Sequence, residues 1–440
     1  MVNAKQHLVE LIRSHADRPE PATALVHGDR SVGYRELGAL IDERASALRA
    51  GGAGGTFVAI ERRRSADYVL DYLSVLAVGG TVVPLDPDVP AERRATFLDL
   101  TRPEFVLRES GLVELAGDPL RQVPGDAAFI YFTSGSTGLP KPVLGSATAL
   151  RSFLDWYGPE FGVGPHDRFG FVAGLSFEAS LRDIFPPLAA GATLVIPADD
   201  ETGSPEATVD WLARNEISVV TTVPSVARGW LRHGRTTCPS VRAAFFVGEP
   251  LARDVVNGWH ATFPRTTVWV NSYGSTESGQ ATIYHRVTPG EDSIERVPAG
   301  RPVPGTRYCL IDRESTLDAD LVRARLAEPP PSGEVVIVSR ACSHGYLGLP
   351  AENAARFADL GDGVSAYRTG DLGRVDENGD LVVIGRVDDE VKINGVRVHP
   401  AEVLRAVRTH PAVGDAFVTA TRAAAAGRAA AASSADAERA

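Results

Sequence analysis

Residues 127 to 143, AAFIYFTSGSTGLPKPV, limit what this chain can fold into more than any other stretch. Ala128 to Phe132 is a run of apolar, mostly β-branched or aromatic residues, which predicts a buried strand. The run empties into Thr133-Ser134-Gly135-Ser136-Thr137-Gly138-Leu139-Pro140-Lys141. Glycines let backbone N–H groups approach an anion closely, hydroxyls add donors, and the lysine adds a point charge. The stretch therefore reads as a phosphate-binding loop delivered by a strand. It is not a Walker loop, which needs glycine directly before the lysine and Ser or Thr directly after it. Here the flanking residues are Pro140 and Pro142.

At 440 residues the chain is long enough for two or three domain-sized units or one large composite core. Its formal charge of −11, with no basic run, argues against a nucleic-acid surface. The three cysteines, Cys238, Cys309 and Cys342, show no metal or redox spacing and are expected to be reduced and structural. The first residues, MVNAKQHLVELIRSH, form an amphipathic pattern without the apolar centre of a signal peptide. No stretch approaches about 18 consecutive apolar residues, so no membrane span and a cytoplasmic location are expected. Lysine is confined to Lys5, Lys141 and Lys392, so any role that needs a lysine has few candidates.

Along the chain, a helix is expected after SVGYREL. A strand TFVAIERR, a helix SADYVLDYLSVLAVGG capped by Ser65, and a strand TVVPLDP follow. The alternation resumes with FGFVAGLSFEAS, a helix LRDIFPPLAAG and the strand ATLVIP. A helix near 207–214 and the strands ISVVTTV, AAFFVGEP and VWVNSYGSTES come next. That order predicts a parallel sheet. From about 290 to 340 the pattern shortens toward antiparallel strands, including YCLID and GEVVIVSR. After 388, a strand, a helix and a strand are expected, then an alanine-rich, low-complexity tail.

The loop at 132–143 resembles the signature of the adenylate-forming superfamily, close to YTSGSTGxPKGV. It departs from that pattern at Phe132 and Pro142. This superfamily includes nonribosomal peptide synthetase adenylation domains, acyl-CoA synthetases and luciferases. Further blocks occur in the family's order: Asn271 to Glu277 (NSYGSTE), Tyr367 to Leu372 (YRTGDL) and Gly385-Arg386-Val387-Asp388. The resemblance implies an α/β fold, a large composite N-terminal domain of mixed α/β sheets with an additional small β-rich part. A truncated C-terminal α+β subdomain would follow. The corresponding division is 1–387 for the ATP- and substrate-binding core, 388–421 for the start of the small subdomain, and 422–440 for the tail.

The roles implied by the resemblance fall on specific residues. Thr133, Ser134, Gly135, Ser136, Thr137 and Gly138 would cradle phosphates, and Tyr273 and Gly274 would lie against adenine. Asp371 would accept the ribose hydroxyls, with Arg386 nearby, and Asp388 would be the hinge. Lys141, Thr276 and Glu277 would be catalytic, Glu277 also holding Mg²⁺, since a hard carboxylate suits that ion. The implied reaction is ATP-dependent activation of a carboxylate to an acyl-adenylate with release of pyrophosphate. The acceptor that the resemblance implies is a phosphopantetheine thiol on a carrier protein, and some members need a small activating partner protein.

Ser176 to Ser180 (SFEAS) resembles the FDxS block of amino-acid-activating members, whose acid binds the substrate's α-ammonium. Here the acid is Glu178, one methylene longer, which leaves both α- and β-amino acids open. The implied side-chain pocket includes Ala179, Arg182, Thr222, Phe245, Val247, Ser272, Gln280 and Ala281. Arg182 either pairs with Glu178 one helical turn away or meets a polar group of the substrate. The family's late PKTxSGK lysine has no counterpart, since no lysine follows Lys392. Two other readings therefore accompany amino-acid activation: an acyl- or aryl-CoA ligase, and a non-catalytic nucleotide- or amino-acid-binding member.

Overall fold

A buried helix between two parallel strands needs apolar residues on every side, and SADYVLDYLSVLA supplies them. In the structure, a computed structural model, this segment is the helix Ala66–Ala77, buried at every position but Asp67. The model describes residues 3–18, 22–116, 123–134, 138–288, 297–388, 390–393, 396–408, 410, 413 and 418. The Ser65 side chain accepts a hydrogen bond from the Tyr68 N–H and caps the helix. Flanking it, Phe57–Glu61 and Thr81–Leu85 pair in parallel as the sequence order predicts.

The fold is mixed α/β with several sheets. A six-stranded sheet runs in the order Gly111–Glu114, Phe105–Arg108, Phe57–Glu61, Thr81–Leu85, Ala127–Thr133, Lys141–Ser146. The strand that delivers the phosphate-loop sequence is thus Ala127–Thr133, and the chain returns antiparallel to it. That return sets Lys141 directly opposite Thr133.

The second sheet has nine strands, with Val268–Ser275, Ala243–Val247, Val219–Thr222, Arg168–Gly170, Thr193–Ile196 and Thr23–His27 as consecutive parallel neighbours. Antiparallel strands finish it at each edge. A large core of residues such as Leu73, Leu76, Tyr131, Phe169, Phe185 and Leu188 fills the space between these two sheets and their helices. The third sheet, Thr306–Ile311, Ser332–Ser339, Val364–Val375, Phe357–Gly361 and Leu381–Arg386, is antiparallel throughout. That matches the shortened periodicity expected beyond 290.

Two expectations need adjustment. Helices Ala147–Phe161, Pro224–His233, Arg253–Thr262 and Ala319–Ala327 lie in stretches where no helix was expected. Beyond 388 the first expected strand is a hairpin, Val391–Ile393 pairing with Val396–Val398, before the helix Pro400–Arg408. The Asn-Gly dipeptide at 394–395 is a strong hairpin signal in the sequence. Most of the second expected strand, and the tail from 422, lie outside the described residues. Among the described residues no helix is long and apolar enough to cross a membrane.

Candidate functional site

The ends of strands from all three sheets bring the motif residues together, and hydrogen bonds join them. At the end of Ala127–Thr133, the Thr133 hydroxyl donates to Glu277 Oε1 at 3.2 Å. Glu277 follows the strand Val268–Ser275 and is 1% exposed, so its carboxylate must find its partners inside the protein. The Tyr346 hydroxyl donates to it at 3.1 Å, and Arg397 Nη1 reaches both oxygens at 3.1 and 3.0 Å. Burial pushes this carboxyl up, but the Arg397 guanidinium and the hydroxyls outweigh it, and the group sits below the usual carboxylate range.

A second constellation adjoins the first. Asp371 lies in the long strand Val364–Val375, in register with Arg386 of the neighbouring strand. The Tyr273 hydroxyl donates to Asp371 Oδ2 at 2.6 Å, and Arg386 Nη1 donates to Oδ1 at 2.7 Å. The remaining face of Arg386 forks onto Asp388, at 2.8 and 3.0 Å. Gly370, at φ +79°, leaves room for this fork, since a Cβ there would lie 2.9 Å from Arg386 Nη2. Burial, and then the Asp371 charge, push the Tyr273 phenol up, so it acts as a neutral donor.

Lys141 is buried at the start of Lys141–Ser146. Its Nζ donates to Glu352 Oε2 at 2.7 Å and lies 5.2 Å from the centre of the Tyr346 ring. Tyr346 therefore links the lysine to Glu277. Of the phosphate-loop residues, Ser134 donates to Glu390 Oε2 at 3.2 Å and Gly138 takes φ +78°. Gly135, Ser136 and Thr137 lie outside the described residues.

The candidate substrate residues surround the start of the helix Ser180–Ala190. Glu178 precedes this helix by two residues, so it and Arg182 do not share a regular helical turn. Among the described residues no ion pair or hydrogen bond joins the two side chains. Each is 9% exposed. Burial pushes Glu178 up to about 8 against the pull of Arg182, and the Thr276 hydroxyl favours its charged form. Burial likewise lowers Arg182 to about 10 against the Glu178 charge.

Around them, Thr222, Val247 and Ser272 end or nearly end parallel strands, with Val247 and Ser272 in register. Ligands of parallel sheets bind at such strand ends. Phe245 packs on Tyr157 and Phe161, Ala281 joins the main core, and Ala179 leads into the helix. Gln280 is 5% exposed, and among the described residues neither atom of its amide has a hydrogen-bond partner.

Sequence reasoning missed Tyr346, Glu352, Glu390 and Arg397. The GYL triplet around Tyr346 looks structural, and Arg397 sits in a short VRV strand that resembles any solvated strand. Lys392, also in this hairpin, is half-buried and lowered by burial. Among the described residues no cluster of three or more His, Cys, Asp or Glu could hold a metal ion by itself.

The family model described as AMP-binding enzyme matches residues 12–122 and 113–347. Tyrocidine synthase 2 of Brevibacillus parabrevis is 30% identical over 423 residues, covering 91% of this chain and 11% of that protein. D-alanine–D-alanyl carrier protein ligase of Bacillus licheniformis is 28% identical over 424 residues, 90% of this chain and 82% of the ligase. The nonribosomal peptide synthetase FmoA3, solved with alpha-methyl-L-serine-AMP bound, superposes with a TM-score of 0.74 at 26% identity. That match covers 86% of this chain and 44% of FmoA3. The chain spans 11% to 33% of the length of the first three curated relatives it matches. It belongs to the AMP-binding enzymes, as an adenylate-forming domain of the nonribosomal peptide synthetase type.

Proposed function

We propose that this domain activates an amino acid as its aminoacyl-adenylate and passes it to the phosphopantetheine thiol of a carrier protein. A carboxylate oxygen attacks the α-phosphorus of ATP, the bond to the bridging oxygen breaks, and pyrophosphate leaves. Catalysis of this kind rests on positioning and charge neutralisation. The reading assigns the phosphates to the loop Thr133–Gly138 and to Lys141. Adenine and ribose go to Tyr273, Gly274, Asp371 and Arg386, and the substrate ammonium to Glu178.

Mg²⁺ typically takes one or two carboxylates plus substrate phosphates. Glu277, with the Thr133 hydroxyl beside it, fits that need, although Arg397 engages the same two oxygens in this conformation. The ion would supply positive charge against the phosphates. Glu277 would hold it once Arg397 withdraws, and Thr276 would steady the neighbouring Glu178.

The observation that carries this reading is the Tyr273–Asp371–Arg386 cluster, three separate segments joined at 2.6 and 2.7 Å where a ribose diol needs a carboxylate. The test is amino-acid-dependent exchange of labelled pyrophosphate into ATP. It would run with Mg²⁺ over a panel of α- and β-amino acids, with D371A as control. Exchange with a small set of amino acids, reduced at least 100-fold in D371A, is expected. AMP binding without exchange for any amino acid would favour the non-catalytic reading instead.

A further inference from the structure

The Arg182 guanidinium is an unanswered charge. It is 9% exposed, yet among the described residues no carboxylate, carbonyl or hydroxyl accepts a hydrogen bond from it. Its guanidinium carbon lies 5.9 Å from the centre of the Phe153 ring. Other cations near the site are well supplied. Arg386 holds Asp371 and Asp388, Arg397 holds Glu277, and Arg368 holds Glu334. Asp183, the acid beside Arg182 in sequence, spends Oδ2 on the backbone N–H groups of Val172 and Ala173.

A guanidinium carries five donors. None of the Arg182 nitrogens is among the fully buried atoms that lack a partner, so they keep access to solvent while the site is empty. A substrate that shuts them off from water without offering an acceptor is costly to bind. In the empty site Glu178, pushed up to about 8 by burial, gives Arg182 little compensating charge. Once Glu178 ionises against a substrate ammonium, its charge is committed there. Arg182 is then left with a positive charge in a closed pocket.

We infer that the amino acid taken here carries a second carboxylate, which the guanidinium of Arg182 receives. This rests on the amino-acid-activating reading above and narrows its substrate class. With such a substrate both Glu178 and Arg182 have partners. The ammonium meets Glu178, the second carboxylate meets Arg182, and the activated carboxylate becomes the mixed anhydride with AMP. Gln280, whose buried amide has no partner on either atom, offers a further N–H donor to the same acid. An apolar side chain would leave both groups unsatisfied, and a site built to hydrogen-bond a substrate group rejects most strongly the analogue that lacks it.

Binding of non-reacting adenylate analogues tests this without requiring turnover. The aspartyl, glutamyl, asparaginyl, glutaminyl and leucyl sulfamoyladenosines, with AMP alone as reference, would be titrated calorimetrically into the whole chain. An acidic analogue should bind on the order of 10- to 100-fold tighter than its own amide, as one charge-assisted pair predicts. Arg182→Leu should erase that preference and Arg182→Lys should keep part of it. Should the leucine variant not fold, Arg182→Gln serves in its place. Equal affinity for acid and amide, with AMP bound, would overturn the inference and leave the adenylate-forming reading standing. An acid preference that survives in the leucine or glutamine variant would also overturn it. Failure to bind any analogue or AMP would overturn both.

Discussion

A buried carboxyl announces itself in the pH dependence of stability. Glu178 keeps its proton to about pH 8 when folded, against an ordinary value of 4.5. Between those values the unfolded chain binds fewer protons than the folded one, so stability falls as pH rises through the window. The charged groups facing Glu178 are Arg182, Glu277 and Arg397. Asp183, pushed up to about 7 by burial, adds a slope of the same sign from about pH 4 to 7. In urea unfolding, Glu178→Gln should therefore be more stable than the parent at pH 8. Between pH 7 and 8 it should lose the falling slope that the parent shows. Identical slopes in parent and variant would show that Glu178 ionises normally. Such residues were nameable from the sequence because the SFEAS block is contiguous. Their protonation was not, since burial depends on what packs over them.

At the scale of elements, the strand carrying Lys141 is held by a close approach that only glycine permits. Gly145 stands opposite Phe129, and a Cβ built on it would lie 1.9 Å from the ring. The same strand is tied to the segment around Tyr346, Leu144 N–H donating to the Gly345 carbonyl and Leu347 N–H to that of Pro142. Gly145→Ala should lower unfolding stability by about 1–3 kcal/mol, as overpacking does. Adding Phe129→Leu should restore part of the loss. A neutral Gly145→Ala, measured by urea denaturation, would contradict this packing. Strands and helices with a strong period were legible beforehand, as with Ala66–Ala77 and Ala243–Val247. The helix Ala147–Phe161 was not, because it holds Pro159, which as a rule breaks a helix, in its last turn.

For the whole molecule, the hairpin beyond 388 is fastened to the core by charge. Arg397 enters the site to meet Glu277, Glu390 accepts from Ser134, and Glu402 pairs with Arg93. Removing one partner of a buried pair strands the other charge, at a typical loss of about 3–5 kcal/mol. Arg397→Ala should show a loss of that order, much of it recovered when Glu277→Gln is added. A double-mutant cycle in urea would read the coupling, and strict additivity would mean that the contact contributes nothing.

The sequence by itself singled out the Ser- and Gly-rich loop proposed for phosphate, the YRTGDL carboxylate proposed for ribose, and the alternation of strand and helix. Each is a local pattern whose chemistry or period can be read within about a dozen residues. Only the tertiary structure decided that Lys141 meets Glu352, 211 residues away, and that Glu277 meets Arg397 across 120. It also decided that Arg182 finds no hydrogen-bond acceptor among the described residues. Periodicity states which face of an element is buried, but not which distant side chain arrives there. Pairing and burial of charge depend on the packing of separate sheets.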